Sequence, residues 1–209
     1  MSDNTQTQVE LIPHQELTHP GSITGNGTGD GSVDVSTWLS GVVHIWQANI
    51  ETTANLAAGL DFIEVEGSPD PAGTNNWQSL GVYAPSTTAA TDTAFDENDA
   101  IGAKTLHVAT TAGKTTGAVI YLKDATSVAA SEWARVVTVA TDATVTVVDG
   151  LITAKVATDD HMYTQASRWA CHLPDLSGYR RIRVLVFHYG ATGSDWRVYA
   201  VLEAATDFE

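Results

Sequence analysis

The chain reads as an all-β protein: a β-sandwich of jelly-roll type that carries an inserted small β-barrel. Three observations predict this. Thr, Ala, Val, Gly and Asp fill the sequence while Leu and Lys are scarce, and the branched Thr and Val side chains fit a pleated strand better than a helix. Short runs of alternating apolar and polar residues recur between clusters of Gly, Pro, Asn and Asp, which is how strands joined by turns are written. Finally, 209 residues with 43% apolar content suffice for a sizeable core and argue against wholesale disorder.

Taken in order, residues 1–20 are polar with one apolar patch, Val9-Glu-Leu-Ile-Pro13. Pro13 and Pro20 interrupt any long regular element, so the segment is expected to be an extended arm or a lone edge strand. Residues 21–32 hold five glycines and read as a flexible linker. Residues 1–32 thus form an expected N-terminal arm and Gly-rich linker. Strands follow at Val33-Asp-Val and at Gly41–Ile50, where Val43, Ile45 and Gln47 share one face and Val42, His44, Trp46 and Ala48 the other. A short helical turn is expected around 54–58, stopped at Gly59. Leu60–Glu66 and Trp77–Tyr83 return to strand. Beyond the Thr/Ala-rich stretch 84–100, the runs Lys104–Ala109, Ala118–Asp124, Ser131–Ala140 and Thr144–Leu151 make the inserted barrel, residues 101–162. Residues 163–209 then rejoin 33–100 as the sandwich, with strands at Tyr163–Leu173, Tyr179–Tyr189 and Trp196–Glu203. The loop 190–195 is expected to be a hairpin between the last two.

The formal charge is −15, and no Lys or Arg precedes Lys104. Residues 1–103 carry fourteen acids; the ten basic residues all follow, beside eleven acids. Such a field repels nucleic-acid phosphates and anionic lipid, so neither nucleic acid nor membrane is an expected partner. A solvated acidic surface, docking on a basic partner and Ca²⁺ binding are the readings this charge leaves. A single cysteine, Cys171, excludes an intrachain disulfide and a cysteine zinc site. It reads as a small buried hydrophobe, with His172 on the opposite strand face. No basic-plus-apolar leader and no apolar run near 18 residues stands in the sequence.

Chemistry-bearing patterns are few. The histidines 14, 19, 44, 107, 161, 172 and 188 form no metal-ligating spacing. Gly113-Lys-Thr115 lacks the upstream glycine of a phosphate loop and reads as a turn. Asp96-Glu-Asn-Asp99 offers oxygens in a row where Ca²⁺ wants spaced ones, and reads as a solvated loop; Asp30 and Asp34 read the same way. No Gly-x-Ser-x-Gly elbow is present. Trp38, Trp46, Trp77, Trp133, Trp169 and Trp196, with Tyr83, Tyr189 and Tyr199, are core fillers or the platforms of a sugar-binding face. Arg180, Arg181, Arg183 and Arg197 lie on two strands expected to be neighbours, and Arg181 and Arg183 share a face. Cross-strand pairing with acids is the plain reading.

Several runs resemble the small β modules of tailed-bacteriophage accessory virion proteins, particularly capsid decoration (cement) proteins: Thr105–Gly113, Ile120–Asp124, Ser131–Val139 and Thr144–Leu151. Gly41–Trp46 and Asp175–Val186 look like the sandwich strands that accompany them. The resemblance implies a non-enzymatic virion protein on the capsid exterior, without cofactor, metal or catalytic residues. It would bind the major capsid protein and bridge capsomers as a homo-oligomer, dimer or trimer, with the arm laid along the shell. The expected partner contacts are Val9, Leu11 and Ile12 of the arm together with Arg181 and Arg183. The alternative is a carbohydrate-binding or host-adhesion β-sandwich on a virion or cell surface. An enzyme would need facing carboxylates, for which Asp61, Glu64 and Glu66 are the candidates.

Overall fold

The computed structural model describes residues 6–18, 21–24, 31–50, 61–85, 90–140, 143–188 and 195–206. The expected turn at 54–58, half of the Gly-rich stretch and nearly all of the 190–195 loop lie outside them. Among the described residues there is no α-helix. Eight strands build the sandwich: β1 (Gln6–Thr18), β2 (Gly21–Thr24), β4 (Ser40–Asn49), β5 (Asp61–Ser68), β6 (Gln78–Tyr83), β12 (His161–Leu173), β13 (Arg181–His188) and β14 (Asp195–Ala205). A two-residue β3 (Val33–Asp34) adds to β13.

One sheet runs β1-β14-β4-β12 and the other β2-β13-β5-β6. Counted first to eighth along the chain, these orders are 1-8-3-6 and 2-7-4-5, the double Greek-key winding of a jelly roll. Alternation fixes which side of each strand faces the core. Val43 and Ile45 of β4, Ile63 and Val65 of β5, Ile182, Val184 and Val186 of β13, and Val198, Ala200 and Leu202 of β14 meet between the sheets. Burial of such side chains is worth about 1.5–3 kcal/mol each. Gln47 follows Val43 and Ile45 inward, and neither atom of its buried amide has a hydrogen-bond partner among the described residues. Unpaired buried amides are costly, so Gln47→Leu is expected to raise stability by about 1 kcal/mol, read as a higher urea midpoint. A lower midpoint would mean that the amide is satisfied by buried water.

Three expectations about the ends and the insert are corrected. The described part of residues 1–32 is not a free arm: β1 is the alternative, an edge strand, pairing with β14 from Gln6 opposite Ala205 to Thr18 opposite Asp195. β2 pairs with β13, while residues 25–30 of the expected linker lie outside the described residues. Register shifts around Leu11 and Pro13 resolve the conflict that the prolines pose. An extra residue at each bulge lets the strand pass a residue without an N–H, and it turns both Leu11 and Ile12 into the core. Second, β13 and β14 do not neighbour each other. They lie in opposite sheets, because a jelly roll crosses between sheets at that connection.

Third, the insert does not close into a barrel. It leaves the sandwich between β6 and β12 and comprises β7 (Asp92–Ala94), β8 (Thr105–His107), β9 (Val119–Lys123), β10 (Glu132–Val139) and β11 (Thr144–Val147), with a 3-10 turn at Val128–Ala130. Its strands extend the first sheet in the order β12-β9-β10-β11-β8, and β7 pairs separately with β12. The β8 side meets the β7 side through the isolated bridge Phe95–Val108, with no continuous ladder between them among the described residues. The module begins near residue 90 rather than 101, and Phe95, Leu106, Val108, Ile120, Leu122, Val136, Val145, Val147, Leu151 and Met162 give it a core of its own. Strand β12 serves both bodies: His161–Tyr163 pair with β7 and β9, Ala166–Leu173 with β4.

Candidate functional site

The outer face of the first sheet carries a row of side chains at one level. Tyr199 and Arg168 stand directly opposite Trp46, one on each neighbouring strand. Outward alternation from the buried Ile45 puts Trp46 there. His14 of β1 joins the row because the bulge at Pro13 re-aims it, a common use of bulges. Ring centroids lie 5.3 Å apart for Trp46–Tyr199 and 6.4 Å for His14–Tyr199. The Arg168 guanidinium sits 4.9 Å from the Trp46 ring centroid, a cation–π contact that steadies the indole.

The insert supplies the opposite wall. Trp133 on β10 lies 4.6 Å from the His14 ring and 4.8 Å from that of Tyr121, which stands opposite it on β9. Between the walls is a cleft of about 520 Å³, also lined by Glu10, Pro13, Ser131 and Ile152. A second space of about 340 Å³ lies beyond Trp46 and Trp133, against Arg135, Asp149 and Arg168. Trp46 and Trp133 line both, so the two spaces adjoin along the groove between jelly roll and insert.

His14 is the joint between the two bodies. Its Nε2 and the Tyr121 Oη share a hydrogen bond of 3.1 Å. Burial, aided by Arg197 and Lys155, lowers the His14 pKa to about 4, and burial raises that of Tyr121 to about 12. Both groups are neutral near pH 7. A histidine of unfolded pKa near 6.5 that binds its proton only near 4 when folded costs stability as pH falls through that window. The wild-type urea midpoint should therefore fall between about pH 6.5 and pH 4, and His14→Gln should flatten that part of the profile. An unchanged slope in the variant would remove His14 from the account.

No family model matches the chain, and neither a curated protein nor a solved structure does.

The partner contacts expected from the sequence are used inside the molecule. Leu11 and Ile12 are 0% exposed, so they cannot meet a capsid while β1 stays in its sheet. Val9 is half-buried, opposite Leu202. Arg183 Nε donates to Glu66 Oε2 at 2.8 Å and its guanidinium stacks 3.8 Å from the Trp77 ring centroid. Arg181 Nε donates to the Pro71 carbonyl. Arg197, on the other sheet, pairs with Glu16 at 2.8 Å.

Other candidates resolve as structure. Cys171 is buried, its thiol pKa is raised by burial, and His172 points away on the exposed face. Lys114 of the Gly-Lys-Thr turn is buried against Thr93 Oγ1. In the acidic loop, Asp99 accepts from the His107 backbone N–H at 2.9 Å and pairs with its ring, whose pKa that hydrogen bond raises; Asn98 accepts from Ala157 N–H. Among the described residues no cluster of three metal-ligating side chains occurs. Asp61 pairs with the buried His188 and Glu66 with Arg183, on opposite faces of β5, so they do not oppose each other across a cleft.

Of the six tryptophans only Trp196 lies fully in the core. The sequence names Trp46, Trp133 and Tyr199 as possible platforms but not the set they belong to, and it gives no role to Glu10 or Ser131. A second surface also stands out. The loops 99–103 and 148–156 are tied by Gly102 N–H to Leu151 O, by Leu151 N–H to Ala103 O and by the Asp99–Lys155 bridge. Around these ties Ile101 is 70% and Ile152 76% exposed, with Val148 and Val156 also exposed. The loops approach so closely at Gly150 that a Cβ there would lie 2.5 Å from Gly102 O. Gly150→Ala is accordingly expected to lower stability by about 1–3 kcal/mol through backbone displacement, measurable by thermal unfolding; a neutral result would show that the loops can part freely.

Proposed function

We propose that this protein is a non-enzymatic virion structural protein of the capsid-decoration type, which binds the outer surface of a capsid shell and bridges capsomers. The observation that carries this reading is the exposed apolar tip of the insert, Ile101, Val148, Ile152 and Val156. Isolated surface hydrophobes are ordinary, whereas a group of them gathered on two tied loops suits a protein–protein contact. The module behind the tip has its own core and is anchored through β12, so it can press on a partner without losing shape. Engagement of several copies around a symmetry axis, as a dimer or trimer, would turn weak individual contacts into firm retention. The reading replaces the N-terminal arm with the insert as the gripping element, since β1 is committed to the sandwich.

Mixing the purified protein with undecorated capsids and imaging by electron microscopy tests this. The expected result is saturable, symmetric density with the insert against the shell. Absence of added density at both low and moderate salt would refute it.

A further inference from the structure

The groove between jelly roll and insert shares only Ile152 with the proposed shell contact. We propose that it is a saccharide-binding site, in which pyranose rings lie against Trp46 and Trp133 and their hydroxyls bond to Glu10 and Tyr199. Its contents match the chemistry of a sugar. A pyranose ring has a face of polarised C–H bonds that suits the negative face of an aromatic ring, and a rim of hydroxyls that needs donors and acceptors. The groove offers both in alternation. Trp46, Tyr199 and Trp133 give ring surface; Glu10 gives an exposed carboxylate and Tyr199 a hydroxyl, while Ser131 is buried and already bonded to Ser127 O and Asp124 N–H. At the far end Arg135 and Arg168 add planar donor groups, and neither has a carboxylate within ion-pair distance among the described residues.

Other occupants fit less well. Aliphatic lining is limited to Pro13, Ala129 and Ile152, too little for an acyl chain or a greasy helix. A nucleic acid would bring phosphates to a chain of charge −15 beside Glu10 and Glu132. The size also agrees: about 520 Å³ for the first space lies within the roughly 300–1,000 Å³ common for small-molecule sites. The walls are fixed before any ligand arrives, because Trp46 is held by Arg168 and Glu132, at the base of the Trp133 wall, accepts from Ile152 N–H at 2.9 Å and contacts Lys155 at 3.4 Å. Such preorganisation keeps the ordering cost of binding low.

The test uses the full-length protein on a broad array of plant, animal and bacterial oligosaccharides, followed by titration of each positive by tryptophan fluorescence and calorimetry. Binding is expected, with affinity lowered at least about tenfold by Trp46→Ala and by Trp133→Ala, as for loss of a central aromatic contact. Trp133→Phe, which keeps the wall packed, should recover part of the loss. Trp77→Ala, just before β6 of the other sheet, should leave affinity unchanged. The site is overturned if no array member binds at millimolar concentration, if Trp46→Ala and Trp133→Ala bind as the wild type does, or if Trp77→Ala weakens binding equally. It is also overturned if the groove tryptophans are covered by a second copy in solution. Ile152 borders both the groove and the loops proposed for the shell, so the two readings are told apart by Trp46 and Trp133, which belong to the groove alone, and by the separate capsid assay.

Discussion

Lys155→Ala is expected to melt the inserted module ahead of the jelly roll, at a cost of about 3–5 kcal/mol. Lys155 is 1% exposed, and its ammonium donates to Ala130 O at 3.0 Å and Thr153 Oγ1 at 2.7 Å and lies 3.4 Å from Glu132 Oε1. Those contacts join the 3-10 turn, the start of β10 and the loop after Leu151. Removing the ammonium leaves the nearly buried Glu132 carboxylate without its counter-charge, and an uncompensated charge costs far more than a well-formed pair gains. Glu132 keeps its bonds from Ile152 and Thr153 N–H, so the damage should stay local. Hydrogen exchange should report lost protection in β8–β11 with β4, β5 and β13 still protected. The double variant Lys155→Met with Glu132→Gln should recover most of the loss, since it removes both charges. A single variant within about 1 kcal/mol of wild type would show that water reaches this site and that the pair contributes little.

Under the proposed capsid-decoration function, Ile101→Asp with Ile152→Asp is expected to abolish capsid retention without unfolding the protein. Both side chains are mostly exposed in the free chain, so replacement removes little internal packing. Each would bury roughly 1.5–3 kcal/mol worth of apolar surface on a partner, and the new carboxylates would also have to be desolvated there. A combined loss of even about 3 kcal/mol is more than a hundredfold per contact, and retention through several copies multiplies it. Co-sedimentation with undecorated capsids reads the effect, with circular dichroism confirming the fold. Undiminished binding by the variant would mean that some other surface meets the shell. Arg183, taken from the sequence as a contact, makes the useful comparison: Arg183→Ala should lower stability through Glu66 and Trp77 while leaving capsid binding intact.

The strands were legible where alternation is strict. In β4 the inward set Val43, Ile45, Gln47 and the outward set His44, Trp46 follow from period two alone, and β13 separates Ile182, Val184 and Val186 from Arg181 and Arg183 in the same way. The jelly roll follows because eight such strands around one core leave few windings. β1 hides itself: two bulges place Leu11 and Ile12 on the same side, and Pro13 reads as a stop although an edge strand can carry it. Gly21, Ser22 and Thr24 around the single apolar Ile23 mask a strand that pairs with β13. Sandwich neighbours such as β13 and β14 look like a hairpin in sequence, because short connections usually join paired strands. The groove could not be read at all beyond its aromatics. Glu10, His14, Trp46, Trp133 and Tyr199 come from four strands and two bodies, and only the winding order and the site of insertion bring them together.

Strand β12 has a mechanical consequence. It is one unbroken span of 13 residues whose first part belongs to the insert and whose second part is laced to β4 from Ala166 to Leu173. A tug on the insert therefore loads a row of parallel backbone hydrogen bonds lengthwise, in shear, where they must fail together. A peptide tether at the same place would let the insert swing, and its bonds would yield one at a time. Any partner gripped by the insert would in this way pull on the whole jelly roll at once.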